Sequence, residues 1–264
     1  MTLCHFFCSF VSNTLSMKIL VCISNVPDTT SKINFKDDNT AFDSQGVTYI
    51  INPNDEFGLT RAIWLQQQEG AKVTVATVGD VSCEAILRKC LAIGADSAVR
   101  IDANPEDGFF VASQLAAYAE NEAFDLVITG RESIDYNGGM VGALLAHYLK
   151  IPFLTHCIHL EKQGEVIHLQ REIDGGKEQL QGKLPLVIGV QKGLVEEKDL
   201  IIPNLRGIMQ ARQKPLEVVA PIAIEPSSAI KSFEKPPTKG EVKLVDAANI
   251  DQLIDLLQNE ANVL

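Results

Sequence analysis

The loop Gly130–Gly142 gathers residue types that can hold an anion, because Gly138, Gly139 and Gly142 precede and enter a helix-length segment. The free N–H groups and positive dipole end of such a helix start favour a phosphate. Glycine lets that phosphate approach the backbone. Neither Gly-x-x-x-x-Gly-Lys-Ser/Thr nor Gly-x-Gly-x-x-Gly occurs, so a P-loop NTPase and an ordinary dinucleotide fold lack support. By its residues alone the loop could equally be a glycine-rich turn without a ligand. A second constellation, Arg171-Glu172-Ile173-Asp174-Gly175-Gly176-Lys177-Glu178-Gln179-Leu180, brackets an Asp-Gly-Gly turn with charges. Asp-Gly and Gly-Gly supply the positive-φ positions of a tight hairpin. An ordinary hairpin with charged ends is the plain reading. His147, His156, His159 and His168 lie around a helix end and a strand with no nucleophile and no metal-ligand spacing, which leaves a hydrolase or ligase without an acid–base set.

The elements that must position these residues alternate. Strand-like apolar runs fall at Ile19–Ile23, Val73–Val78, Ser97–Ile101, Leu126–Thr129, Val166–Leu169 and Leu186–Val190. Their apolar character on both faces calls for a sheet covered on both sides. Helical periodicity appears at Glu56–Glu69, with Asn54 or Asp55 to cap its start and Gly70 its end, and at Ser82–Ile93 before Gly94. Further helices are expected at Gly108–Glu122 and Gly139–Leu149. The alternation predicts a three-layer α/β/α fold, Rossmann-like, with a mostly parallel sheet. Ligands of such sheets sit beyond the carboxyl ends of the strands, here Ser24–Asp28, Gly79-Asp80 and the glycine loop. Prolines punctuate Val195–Gly240, which reads as an extended arm or loops, before a final helix at Ala247–Gln258 with Ile250, Leu253, Ile254 and Leu257 on one stripe. The expected organisation is an upstream extension over 1–16, an α/β nucleotide-binding domain over 17–192, and a C-terminal docking arm with terminal helix over 193–264.

Composition narrows the function classes. The chain has 264 residues, 46% hydrophobic and 22% charged, which suits a globular protein with a substantial core. A formal net charge of −11 argues against a nucleic-acid partner. Six cysteines (Cys4, Cys8, Cys22, Cys83, Cys90, Cys157) form no C-x-x-C pair, and a reducing cytoplasm fits them. Met1–Ser16 carries Phe6, Phe7, Phe10 and Val11 but no basic n-region, and its apolar patch is too short to span a bilayer. Met17 therefore reads as the natural start, with a signal peptide as the runner-up.

The charged hairpin resembles the signature of the electron transfer flavoprotein β-subunit family. Arg171, Glu172, Asp174, Gly175, Gly176, Glu178, Leu180 and Pro185 fall into its pattern, and Leu169 and Gly189 fit its ends loosely. The resemblance runs from about Lys18 to Val219. It implies a β subunit that pairs with an FAD-bearing α subunit and binds AMP, or in bifurcating members a second FAD. Such a carrier shuttles electrons from acyl-CoA or other flavin dehydrogenases to a quinone reductase or other acceptor, without bond-making chemistry of its own. Carried over residue by residue, its cofactor site falls on Cys22, on Asn52, Pro53, Asn54 and Asp55, and on Val78. The loop positions are Ser133, Ile134, Asp135, Tyr136, Asn137, Gly138, Gly139, Met140, Val141, Gly142, Ala143 and Leu144. Members commonly carry Gln then Thr or Val before the last glycine, whereas Met140-Val141 stand here, so backbone N–H groups are left to carry the phosphate.

Pro203–Arg212 resembles the family's recognition loop, with Leu205, aligned through Ile208 and Met209, as the residue that docks onto dehydrogenases. One apolar anchor on a basic arm (Arg206, Arg212, Lys214) suits transient docking. A leucine tucked against its own domain is the alternative. Arg171, Glu172 and Asp174 would form the α-subunit interface, with Glu172 and Asp174 available to a basic residue of the flavin domain. The competing reading is a stand-alone adenine-nucleotide-binding module of the universal-stress type, which has no need of the Val195–Val219 arm.

Overall fold

The computed structural model describes residues 16–237, 240 and 242–264. Most of Met1–Ser16, with Cys4 and Cys8, lies outside them. The strands are β1 (Lys18–Cys22), β2 (Asn25–Pro27), β3 (Phe35–Lys36), β4 (Ala41–Phe42), β5 (Tyr49–Ile51), β6 (Lys72–Val78), β7 (Ser97–Ile101), β8 (Leu126–Gly130), β9 (Phe153–Gln163), β10 (Val166–Ile173), β11 (Gly176–Gly182), β12 (Leu186–Val190) and β13 (Leu216–Val219). The α-helices are α1 (Pro53–Glu69), α2 (Glu84–Ile93), α3 (Gly108–Glu122), α4 (Val141–Leu149), α5 (Leu205–Ala211) and α6 (Ile250–Asp255). The chain divides into two compact units. One holds the described residues through Asn34 with Ser44–Ile230, and the other holds Phe35–Asp43 with Lys231–Leu264.

The first unit is built on a nine-stranded sheet of order β11-β10-β9-β12-β8-β1-β6-β7-β13. Its strands from β9 to β13 pair in parallel, and β10 and β11 extend one edge as an antiparallel meander. Alternate residues of β1 show the three layers. Ile19 and Val21 pack with Leu59, Ile63, Leu87 and Leu91 of α1 and α2, while Leu20 and Cys22 pack with Leu115, Ala119 and Leu145 of α3 and α4. Apolar side chains on both strand faces thus become two cores, as a buried parallel sheet requires. In the second unit β3 pairs with β4, Phe35 stacks on Phe233 at 4.7 Å, and Phe233 N–H donates to Asn39 O.

Several boundaries differ from the sequence reading for physical reasons. Helix α1 starts at Pro53, not at Glu56, because proline's missing N–H and fixed φ suit a first turn; Asn54 and Asp55 therefore lie inside the helix and do not cap it. Gly70 ends that helix at φ 71. Helix α4 begins at Val141, two residues later than expected, because Gly139 takes φ 60. The arm Val195–Gly240 is not all loop: it supplies α5, and β13 is recruited to the sheet by parallel pairing with β7. The final helix is shorter than Ala247–Gln258, running as α6 and then as a π-helical turn over Leu256–Glu260. An unexpected strand, β9, carries the histidine-rich stretch, with His156 at φ 56 where its register with β12 slips.

Candidate nucleotide site and docking helix

Chain order reverses between β1 and β8: from β1 the sheet grows through β6 and β7 on one side, and β8 then enters on the other. A switch of this kind opens a crevice beyond the strands' carboxyl ends. Cys22 ends β1, Val78 ends β6, and the glycine loop follows β8, so these expected site residues converge on one edge. Cys22 is buried with its thiol pushed far up by desolvation, which keeps it a neutral small hydrophobe.

Asn52 and Asp55 sit behind the crevice. Asn52 Oδ1 accepts from Ile134 N at 3.2 Å, and its Nδ2 donates to Asp55 Oδ1 at 3.0 Å and to Glu132 O at 2.9 Å. Asn54 Nδ2 donates to the same carbonyl at 3.0 Å. Asp55 Oδ2 accepts from Ser24 N at 2.7 Å, and the carboxylate also takes the Gly130 N–H. Burial pushes the Asp55 carboxyl up to about 7, against the pull of these N–H bonds. Asn52 and Asp55 are 0% and 2% exposed, and their polar atoms are engaged by the loops after β1 and β8. Pro53 opens the helix that carries Asn54 and Asp55.

The glycine loop has a bent entry and an open middle. Asn137 N–H donates to Ser133 O at 2.8 Å, and Asn137 and Gly139 take φ 50 and 60. Asp135 accepts from Tyr136 N, while Tyr136 and Met140 are exposed. No side chain caps α4, so the N–H groups of Val141, Gly142 and Ala143 are not met by a side-chain cap, while Leu144 N–H donates to Met140 O at 3.0 Å. The glycines divide their tasks. A Cβ at Gly138 would meet nothing within 4 Å, whereas at Gly142 it would stand 2.6 Å from Thr129 Oγ1 and 2.9 Å from Phe153 Cε2. Gly142 thus serves close helix–sheet packing, and the open approach belongs to Gly138.

Arg100 was not singled out by sequence reasoning, although a lone cation in an apolar strand was its signal. Its Nη1 donates to Gly79 O at 3.0 Å and to Asp102 Oδ1 at 2.5 Å, and its Nε to Glu84 Oε1 at 3.1 Å, which fixes the turn after β6. Asp80 there is held below the usual carboxylate range by the Ser82 hydroxyl and N–H. Ser24 and Gly130 lie in the two strand-end loops that the sequence marks, but nothing local in the sequence shows that their N–H groups bind Asp55.

The segment expected to dock is the short helix α5. Leu205 is 75% exposed, Met209 63% and Ile208 44%, so Leu205 is not tucked against its own domain. Asn204 caps the helix by accepting from Gly207 N at 2.8 Å. Arg88 of α2 donates to Ala211 O at 2.7 Å and Lys214 O at 2.9 Å. A Cβ at Gly207 would overlap Ala92 O, so glycine permits the close approach of α5 to α2. Beside it lies a groove of about 510 Å³ lined by Ala85, Arg88, Lys89, Ala92, Pro203, Ile208, Ala211 and Arg212. Lys214 is not a free docking cation: its ammonium donates to Leu91 O, Gly94 O and Ala95 O at the end of α2. Arg206 and Arg212 remain exposed.

The charged hairpin forms with Ile173 opposite Gly176, and Gly175 alone takes positive φ. Arg171 pairs across strands with Glu178 at 2.5 Å, so its charge is met within the chain. Asp174 is exposed at the turn, and exposed Glu172 accepts from Gln191 Nε2. Among the described residues no group of His, Cys, Asp or Glu is placed to hold a metal, and no helix is long and apolar enough to cross a membrane.

A family model of the electron transfer flavoprotein domain matches residues 39–224. The electron transfer flavoprotein subunit beta of Bacillus subtilis is 34% identical over 262 residues, covering 94% of this chain and all of that protein. The human protein of the same name is 31% identical over 233 residues, covering 84% of this chain and 90% of its own. The acryloyl-CoA reductase electron transfer subunit gamma of Anaerotignum propionicum is 30% identical over 271 residues, covering 92% and 99%. With a mostly parallel sheet and a charged hairpin in the expected places, the chain belongs to the electron transfer flavoprotein β-subunit family, whose role is electron transfer.

Proposed function

We propose that this chain is the β subunit of a heterodimer whose α subunit carries the redox FAD. The pair shuttles electrons from acyl-CoA or other flavin dehydrogenases to a quinone reductase or another acceptor, in the cytoplasm. The flavin supplies the redox chemistry, and this chain binds, orients and docks. The supporting observation is the exposed face of Leu205, Ile208 and Met209 on a helix whose backbone is anchored to α2. An apolar face on a fixed support suits a partner that must bind briefly and leave. The name of the Anaerotignum relative, an electron transfer subunit of an acyl-CoA-type reductase, points to the same class of partner.

AMP, or a second FAD, occupies the crevice in this reading. The residues fit such a group: uncapped N–H groups at the start of α4 meet a phosphate, and Gly138 leaves the approach open. Asn52 and Asp55 hold the loops that shape the site. Glu172 and Asp174 face a basic residue of the flavin domain. Co-expression with the neighbouring α-subunit gene, purification, and identification of nucleotides released on denaturation test the reading. One FAD with AMP marks a simple carrier and two FAD a bifurcating one. A chain that forms no heterodimer and carries no flavin overturns it.

A further inference from the structure

Gln191, the residue after β12, is 7% exposed. Its Nε2 donates to Glu172 Oε2 of the hairpin, and its Oε1 accepts from Arg131 Nη1 at 3.3 Å. A carboxylate only accepts and a guanidinium only donates, so the amide has one possible orientation between them. Arg131 opens the loop after β8. Its backbone N–H donates to Val190 O at 2.7 Å, its Nη2 meets the Glu132 carboxylate, and its Nε is buried without a hydrogen-bond partner. The next peptide carbonyl, Glu132 O, is the one that Asn52 and Asn54 hold. An unbroken run of polar contacts therefore leads from an exposed carboxylate at the sheet's edge to the loop beside the crevice.

We propose that Gln191 is a positioning residue that links Glu172 to the Arg131-Glu132 segment, so that a cation capturing Glu172 loosens the glycine loop. The negative carboxylate polarises the amide and strengthens the bond that its oxygen accepts from Arg131. Beyond this bond the Arg131 guanidinium is held only by the neighbouring Glu132 carboxylate, which belongs to the same loop, and its Nε has no partner. Capture of Glu172 by a basic side chain of another subunit draws the carboxylate away and weakens that bond. The consequence for nucleotide binding rests on the function proposed above, but the link itself does not.

Amide hydrogen exchange over residues 131–137 of the full chain without nucleotide tests the link. Replacing the amide with an isosteric thioether in Gln191→Met is expected to speed exchange there about tenfold, the loss of roughly one net hydrogen bond. The double variant Glu172→Gln/Gln191→Glu reverses the polarity, letting residue 172 donate and residue 191 accept from both sides, and should restore exchange to within about twofold of the parent. Rescue by this swap is not expected of a residue that merely fills space. Unchanged exchange in Gln191→Met, or a double variant as fast as Gln191→Met, overturns the link. AMP titration of the same variants separates the two readings: slower and faster loops with no AMP binding in any of them leave the link standing and remove the nucleotide from it.

Discussion

The crevice and α5 are built in opposite senses. At the proposed crevice the polar side chains turn inward: Asn52 and Asp55 are consumed by Ser24, Gly130, Glu132 and Ile134, and the backbone N–H groups that start α4 have no side-chain cap. At α5 the backbone turns inward: its ends are tied by Asn204 and Arg88, and its middle presses on Ala92 through Gly207, leaving Leu205 and Met209 outside. A site for a small anion needs donors held still, and backbone held by buried side chains provides them. A site for a passing protein needs side-chain area on a fixed support. Breaking either support should therefore cost much, and trimming the exposed face should cost almost no stability.

The largest effect is expected at Asp55. In Asp55→Ala the Ser24 N–H, the Gly130 N–H and Asn52 Nδ2 all lose a buried acceptor. Three such losses amount to about 4 kcal/mol in urea unfolding, with AMP affinity lost as well. A loss of less than about 1 kcal/mol would show that water replaces the carboxylate and that the brace is dispensable.

The same carboxyl gives a pH test. Its pKa rises from 3.8 to about 7 on folding, so between these values the folded chain binds the extra proton. Stability then falls as pH rises through that window and levels off above it. From about pH 5 to about pH 7 the wild type should lose on the order of 2 kcal/mol relative to Asp55→Asn, which does not titrate. Stability curves of the two that run parallel across the window would contradict a buried ionising brace.

At α5 the matching support is Gly207. Gly207→Ala drives a methyl group into Ala92 O. About 2 kcal/mol of destabilisation is expected, with faster exchange in α5 and weakened docking to a dehydrogenase. If the stability holds but docking is lost, α5 is a loosely held arm and the contrast with the crevice narrows.

Much of this was legible from local pattern. The strands Ser97–Ile101 and Leu186–Val190 and the helix Gly108–Glu122 announce themselves by runs or periods that need no neighbour. Strand β13 does not: Leu216-Glu217-Val218-Val219, between prolines, is a strand only because β7 pairs with it. Nor does β9, whose His156, His159 and Glu161 interrupt any apolar run near the sheet's edge. The proposed site's place was read from the rule that ligands lie beyond strand ends. What its residues do there did not, because Asn52 meets Glu132, 80 residues away, through loops whose approach only the fold decides. Exposure was equally hidden: the sequence of α5 permits Leu205 to face in or out, and Gly207 against Ala92 settles it.

The smallest stability effect should come from Leu205, and it sharpens the contrast most. Leu205 is 75% exposed, so Leu205→Ala removes little buried area and should change unfolding free energy by less than about 0.5 kcal/mol. If the side chain is the anchor of a transient interface, its truncation should still raise the dehydrogenase concentration needed for half-maximal electron transfer about tenfold, a typical anchor's share. Turnover at saturating dehydrogenase should hold, because the flavin and its protein surroundings are untouched. Stability loss without a docking effect would make Leu205 a structural residue of α5. Docking loss without stability loss assigns its free energy to the partner, as the inverse of Asp55 requires.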